Sequence, residues 1–241
     1  MVSHMRYIYT LLIILCCNIT MVWAHNRTSG QPDFNHIKKE ITNPNSPFYY
    51  PTLTQKYNSN DTTMTSEEYR YFYLGYIFQE DYNPYRTSAY SHQIDHLYKQ
   101  GQKLSRAENE NLVKFAKQTL EDDPFDLRQI NILIYALKKL DRHNEAAVWQ
   151  YRLNHLIEAV LSTGDGKTPE TAWHVVYPKH EYIILNKLGM KGIDFVFVEP
   201  YYDYIEIEKN ALNIEGFYFN VEQLLDVYAT KFCYQEQEIT E

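Results

Sequence analysis

The chain has 241 residues, of which 44% are apolar and 22% charged, and this composition is typical of a folded protein with a sizeable core. Its formal net charge of −8 argues against a nucleic acid or an anionic membrane as its partner. Beyond the N-terminal segment, no window approaches the about 20 consecutive apolar residues that span a bilayer. We therefore predict a protein that neither binds nucleic acid nor spans a membrane.

The first residues differ from the rest of the chain. Arg6 supplies a positive charge, an apolar run follows over residues 7–17, and Ala24 is a small residue suited to signal peptidase. We interpret residues 1–24 as a cleaved signal peptide, which predicts a secreted or periplasmic protein. Lipid anchoring at Cys16 is not favoured, because the residue before it is a leucine rather than a small residue.

Residues 25–241 are predicted to form a single α+β domain. Apolar residues recur at helical spacing in the first part, so residues 33–161 are expected to be mainly helical. Residues 162–233 are expected to be mainly strands with two helices. The predicted architecture is an N-terminal helical part with a helical hairpin, followed by a small antiparallel β-sheet and a C-terminal helix.

Three short helices are predicted ahead of the hairpin. Apolar spacing places them at residues 33–41, 69–79 and 90–99, and a capping box that begins at Thr65 marks the start of the second. Residues 48–51 lie between the first two helices. Because prolines flank and end this aromatic stretch, it is predicted to be a loop.

A second capping box begins at Ser105 and opens three long apolar stripes that predict the helical hairpin. The small and apolar residues of this region resemble a tetratricopeptide repeat, in residues 120–124, Leu133, Ala136, Leu140, Ala146 and Tyr151. Asp141 stands where that repeat usually has glycine, and one unit is visible rather than the three that a solenoid needs. The resemblance therefore implies a hairpin within a domain.

The apolar period changes to two after Gly189. Short aromatic or β-branched runs between residues 195 and 221, separated by turn residues, predict an antiparallel meander. Residues 173–177 are a further candidate strand, whereas residues 178–188 and 222–231 are predicted to be helices.

The candidate catalytic residues cluster where the helical part meets the strands. His174, His180, Glu181 and Asp165 are of the types that general acid–base chemistry uses. However, the two histidines are six positions apart, which suits neither one helix face nor one strand face, and no nucleophile elbow accompanies them. Hydrogen-bonded structural roles are the alternative interpretation.

Two further motifs have weaker functional interpretations. The GDGKT stretch, residues 164–168, lacks the first glycine of a phosphate loop and follows a helix rather than a strand, so its glycines are better explained as turn residues. His92, Asp95 and His96 form H-x-x-D-H on a predicted helix, but a metal would need a third ligand that is not evident. We predict no cofactor and no metal.

Several segments in order resemble the DUF4919 family of exported proteins, typical of Bacteroidetes: residues 32–34, 43–47, 75–79 and 162–189. The resemblance covers essentially all of residues 25–241. It implies that the protein is exported, but it implies no particular reaction. We expect a protein-interaction or scaffold module of the bacterial envelope, whose partner is an envelope or secreted protein. The alternatives are a hydrolase of envelope or dietary polymer that uses His174, His180 and Glu181, and a glycan-binding protein that uses exposed tyrosines.

Overall fold

A computed structural model of the chain describes residues 30–99 and 104–233; the predicted signal peptide lies outside them. The described helices are α1 (Phe34–Thr42), α2 (Tyr50–Asn58), α3 (Ser66–Leu74), α4 (Ser91–Lys99), α5 (Arg106–Asp122), α6 (Leu127–Lys139), α7 (His143–Leu161), α8 (His180–Lys187) and α9 (Glu222–Tyr228). The strands are β1 (Trp173–His174), β2 (Gly192–Val198), β3 (Tyr202–Ile207) and β4 (Gly216–Asn220). Helices precede a small sheet and a C-terminal helix, which confirms the α+β prediction.

Both predicted capping boxes are present. Thr65 and Glu68 cap α3 by exchanging side-chain and backbone hydrogen bonds, and Ser105 does the same for α5 through Glu108. Helix α6 packs against both α5 and α7, and α3 lies across α7. The three long helices therefore form the hairpin region around which the N-terminal helices are arranged.

The predicted aromatic loop at residues 48–51 is wrong in its second half. Tyr50 begins α2, and Pro51 lies in the first turn of that helix. Proline is tolerated there because the first-turn N–H groups have no intrahelical partner. Phe48 does remain outside the helix, where its ring stacks on Tyr71 with centroids 3.8 Å apart.

The sheet has the order β1-β4-β3-β2. The predicted antiparallel meander is β2-β3-β4, while β1 joins β4 in parallel, so the complete sheet is mixed. The candidate strand at 173–177 stops after two residues, because the Val176 backbone bonds to tyrosines instead of to a neighbouring strand. Its N–H donates to Tyr73 Oη at 3.2 Å, and its carbonyl accepts from Tyr82 Oη at 2.6 Å.

The helices of the C-terminal part are shorter than predicted. Helix α8 covers the middle of the predicted 178–188 segment, and Gly189 follows it with φ of 74°, a left-handed conformation that favours glycine. Helix α9 ends at Tyr228, and a π-helical turn, Ala229–Cys233, continues the predicted 222–231 helix.

Candidate functional site

The GDGKT loop closes on itself. The N–H groups of Asp165 and Gly166 both donate to the Thr171 carbonyl oxygen, at 3.1 and 2.8 Å. A Cβ on Gly164 would lie 2.1 Å from the same oxygen, so a side chain there is excluded. Asp165 is exposed and accepts from Thr171 Oγ1 at 2.6 Å, the main contact that lowers its pKa. The loop amides are therefore engaged with Thr171 rather than directed at an anion.

His174 is buried on β1 and joins the N-terminal segment to the sheet. Its Nε2 lies 2.5 Å from Gln31 Oε1, so this nitrogen carries the proton and donates. Its backbone N–H donates to Thr163 Oγ1 at 2.9 Å. Burial, and then the charge of Arg70, lower its pKa to about 4, so the ring is neutral at physiological pH.

His180 is completely buried at the start of α8, and both of its ring nitrogens are hydrogen-bonded. Tyr73 Oη accepts from the Val176 N–H and therefore donates to His180 Nδ1, at 2.7 Å. The Nε2–H group donates to the Phe125 carbonyl at 2.8 Å. Burial, and then the charge of Lys179, lower the pKa of His180 to about 3. His180 is thus a neutral link between α3, α8 and the turn before α6.

The Glu181 side chain contacts the sheet, whereas the His180 ring contacts α3 and the turn before α6. It is 2% exposed and hydrogen-bonds to Asp203 of β3, while its Oε1 has no partner in the described part of the chain. Burial raises the pKa of both carboxyl groups, that of Glu181 well above its usual range, so Glu181 keeps its proton and donates it to Asp203. Such a protonated acid suits proton donation only where a substrate reaches it.

The structure does not bring the predicted catalytic residues together. Asp165 lies on an exposed loop, His174 contacts the N-terminal segment, and His180 contacts α3. Glu181 follows His180 directly, and successive residues of a helix project in different directions. The contacts of these side chains therefore give no geometric support to the hypothesis that they share a catalytic centre.

The H-x-x-D-H motif lies on α4, as predicted. Asp95 Oδ1 bonds to Arg128 Nη2 at 2.5 Å, which directs this carboxylate towards α6. Among residues 30–99 and 104–233, no group of three or more His, Cys, Asp or Glu side chains is placed to hold a metal ion.

A cleft of about 940 Å³ opens between the hairpin and the N-terminal helices, and the predicted catalytic residues do not line it. Helices α2, α5 and α7 form its walls, and the chain that follows α3 forms its floor. We call it the interhelical cleft. Its polar and aromatic lining includes Tyr50, Asn58, Asn60, Tyr76, Gln79, Asp81, Lys117, Glu121, Asp122, Glu145, Trp149 and Arg152.

Trp149 forms an aromatic wall of the interhelical cleft. The Arg152 guanidinium lies between two rings, with its Cζ 4.5 Å from the centroids of both Tyr57 and Trp149. Arg152 Nη2 also donates to the Tyr57 carbonyl at 2.5 Å, which fixes the guanidinium in place. No residue in the described part of the chain accepts a hydrogen bond from the Trp149 indole N–H. The indole therefore offers both a supported ring face and a free donor.

The remaining charges of the cleft are predominantly acidic. Lys117 Nζ pairs with Glu145 at 3.2 Å, and Arg152 is engaged by carbonyl and ring contacts. Glu121 and Asp122 lie exposed in the last turn of α5, and their carboxylates pair with no cation among the described residues. The Arg86 guanidinium donates from Nη1 to the Asp122 backbone carbonyl at the end of α5, at 2.5 Å, and leaves the two carboxylates themselves without an ion pair. The lining of the cleft thus contains an aromatic wall and two carboxylates that form no ion pair with the described residues.

The interhelical cleft was not predicted from the sequence, because its walls come from distant segments. Trp149 recurs at helical spacing with Ala146 and Leu153, a pattern that predicts a buried helix face, whereas the structure leaves it half-buried. The crowding of tyrosines in residues 48–98 was the one available signal, but the buried tyrosines of that region include Tyr57, Tyr69, Tyr73, Tyr76 and Tyr82. Core packing therefore accounts for many of these rings.

The chain belongs to the family described as a domain of unknown function, DUF4919, whose model matches residues 35–230. This range contains the hairpin, the interhelical cleft and the whole sheet. No curated protein and no solved structure matches the chain. Within residues 30–99 and 104–233, no helix has both the length and the apolar character needed to cross a membrane.

Proposed function

We propose that this protein is an exported interaction module that binds an extended segment of a partner protein in the interhelical cleft. The observation that carries the proposal is that one cleft is lined by both the supported Trp149 ring and the carboxylates of Glu121 and Asp122, which form no ion pair. Tryptophan is prominent among the residues that dominate binding at protein interfaces. The cleft volume of about 940 Å³ also suits a few side chains of such a segment.

The charge of the cleft indicates the chemistry of the segment. Both cations that line the cleft, Lys117 and Arg152, already have partners within the protein. A lysine or arginine of the ligand would therefore find Glu121 and Asp122 available, and electrostatic complementarity of this kind favours association and specificity. We expect a basic segment with an apolar or aromatic neighbour that contacts Trp149.

The hairpin is part of the proposal because α5 and α7 supply two walls of the cleft. Their packing on α6 supports the tetratricopeptide-like interpretation of this region, which remains a prediction. Export through a signal peptide in residues 1–24, and an origin in Bacteroidetes, likewise remain predictions. Under this proposal the partner is an envelope or secreted protein.

Glycan binding is the second candidate function, and one observation favours it. The amide side chains of Asn58, Asn60 and Gln79 line the cleft together with Trp149 and Tyr50. Amides that bond hydroxyl groups beside aromatic faces also suit a sugar. A neutral glycan would bind with little dependence on salt, whereas a basic peptide would lose affinity as salt screens Glu121 and Asp122.

The hydrolase alternative has weaker support. His174 and His180 are buried, neutral and hydrogen-bonded within the protein, and the acidic Glu181 lies away from the interhelical cleft. A general base must reach the proton that it abstracts, and these rings contact other protein groups instead.

Selection from a peptide display library tests the proposal. We expect selected peptides to be rich in lysine or arginine. Replacing both carboxylates, Glu121→Gln with Asp122→Asn, should weaken binding about tenfold, since each exposed charge pair contributes up to about 1 kcal/mol. The readout is the dissociation constant measured by calorimetry at low and moderate salt.

Glu206→Gln is the matched control, because Glu206 is exposed on β3 and does not line the cleft. It should leave the affinity unchanged. An equal loss of peptide affinity in the control and in the cleft variant would contradict the proposal. Selected peptides without basic residues would also contradict it. Binding of neutral oligosaccharides that is insensitive to salt would instead support the second candidate.

A further inference from the structure

Arg86 joins the floor of the interhelical cleft to its acidic wall. Its Nη1 donates to the Asp122 carbonyl at the end of α5, and its Nη2 donates to the Asp81 carbonyl in the floor. One planar guanidinium group holds both carbonyl oxygens, so these two residues of the cleft lining are neighbours. Arg86 itself lies outside the lining.

Asp81 is a further carboxylate of the cleft, and its contacts within the protein are weak. Its Oδ2 lies 3.7 Å from Arg86 Nη2 and 3.5 Å from Tyr76 Oη, and both distances are longer than a well-formed hydrogen bond. Its Oδ1 accepts no hydrogen bond within residues 30–99 and 104–233, and the side chain is 59% exposed. Because an exposed ion pair contributes little, the Asp81 carboxylate remains available to a ligand.

The wall of the cleft is fixed independently of Arg86. Asp123, the residue after Asp122, is buried at the end of α5. Its carboxylate accepts from Tyr177 Oη at 3.0 Å and pairs with Lys179 Nζ at 2.9 Å. The Asp122 carbonyl is therefore a stationary acceptor for the guanidinium.

The floor is attached to other parts of the molecule. Lys231 Nζ, from the turn after α9, donates to the Gln79 carbonyl at 2.6 Å, and the buried Tyr82 donates to the Val176 carbonyl at 2.6 Å. These bonds hold the floor to the C-terminal turn and to the segment after β1, whereas Arg86 supplies the hydrogen bonds that join it to α5. A variant without Arg86 should therefore keep its fold.

We propose that Asp81 is a third ligand-contacting carboxylate of the interhelical cleft and that Arg86 is the residue that positions it beside Asp122. The inference rests on the proposed function, because it assigns a further contact to the same basic segment. Asp81, Glu121 and Asp122 carry three negative charges, and one guanidinium balances one of them. The ligand that complements this arrangement is a segment with two basic residues.

The sign of the effect of replacing Arg86 separates positioning from simple charge. Loss of a cation near the cleft should strengthen the binding of a basic peptide if Arg86 acts through its charge alone. If Arg86 positions Asp81, Arg86→Ala should instead weaken binding about threefold, and Asp81→Asn should do the same, since an exposed charge pair contributes up to about fivefold. Calorimetry with a selected basic peptide measures both affinities.

A double-mutant cycle tests whether Arg86 acts through Asp81. The variant with both Arg86→Ala and Asp81→Asn should bind the peptide no more weakly than Asp81→Asn alone, because both changes remove the same contact. Arg106→Ala is the matched control, since Arg106 is exposed at the start of α5 and does not line the cleft. Tighter binding by the Arg86→Ala variant, or additive losses in the double variant, would overturn the positioning role. Unchanged affinity in Asp81→Asn would overturn the assignment of Asp81.

Hydrogen exchange of the ligand-free protein distinguishes this inference from the proposed function. The hydrogen bonds of Arg86 do not depend on a ligand, so the amides of residues 79–82 should exchange at least about tenfold faster in Arg86→Ala than in Arg106→Ala. Equal exchange rates would overturn the positioning role even if the peptide binds. Peptide binding that depends on Glu121 and Asp122 but not on Asp81 would leave the proposed function standing and overturn the third carboxylate. Absence of peptide binding would overturn the proposed function and the ligand contact of Asp81 together, whereas faster exchange would still support the role of Arg86.

Discussion

Replacing His180 by alanine is expected to destabilise the protein by about 3–5 kcal/mol, because it leaves a cavity and two buried polar groups without partners. These groups are Tyr73 Oη, which donates to Nδ1, and the Phe125 carbonyl, which accepts from Nε2–H. For a chain of this length we expect the midpoint of thermal unfolding to fall by roughly 10 °C. Differential scanning calorimetry checks the result.

His92→Ala is the matched control. His92 is exposed on α4, so its replacement should change stability by no more than about 0.5 kcal/mol. An unchanged unfolding midpoint in the His180→Ala variant would show that the hydrogen bonds of His180 do not support the fold. That outcome would favour the alternative in which His180 serves chemistry.

Replacing Glu181 by glutamine is expected to stabilise the protein increasingly as the pH rises. Burial raises the pKa of Glu181 above its unfolded value, so the folded state holds a proton that the unfolded state releases. The associated stability is present below the unfolded pKa, near 4.5, and is lost as the pH rises towards the folded pKa. Because a glutamine amide can donate to Asp203 at every pH, the variant should not lose this stability as the pH rises.

The two proteins should be similarly stable at about pH 4.5, and the variant should gain about 1.4 kcal/mol for each unit that separates the two pKa values of Glu181. Urea unfolding as a function of pH measures the difference. The buried histidines destabilise both proteins equally in acid, because their folded pKa values are lowered, so the difference reports the hydrogen-bonded pair of Glu181 and Asp203. Glu206→Gln is the control, and parallel pH profiles for the Glu181→Gln variant and the unsubstituted protein would contradict the assignment.

Local signals made several parts of the fold predictable. Capping boxes at Thr65 and Ser105 depend on residues three positions apart, so they are readable without tertiary information. The meander follows from the period-two pattern and its turn residues. Helix α2 was missed because Pro51 was interpreted as a breaker, although it occupies a first-turn position where proline is tolerated.

The role of a site residue depended on partners that are distant in sequence. His180 was identified by residue type, but Tyr73, 107 positions away, determines that its ring is hydrogen-bonded in the core. The interhelical cleft combines Tyr50 with Trp149, and no local pattern reports that proximity. The exposure of Phe195 likewise follows from the strand order, because alternation alone does not show that β2 lies at an edge.

Proton–nitrogen NMR of the tryptophan indole groups tests the central claim most directly. The Trp149 indole N–H has no acceptor in the described part of the chain, whereas Trp173 Nε1 donates to the Gly164 carbonyl at 3.1 Å. The resonance lost in Trp149→Phe identifies Trp149. Titration with a selected basic peptide should shift that resonance to saturation and leave that of Trp173 in place. Saturable binding with an unmoved Trp149 resonance would contradict the assignment of the interhelical cleft as the binding site.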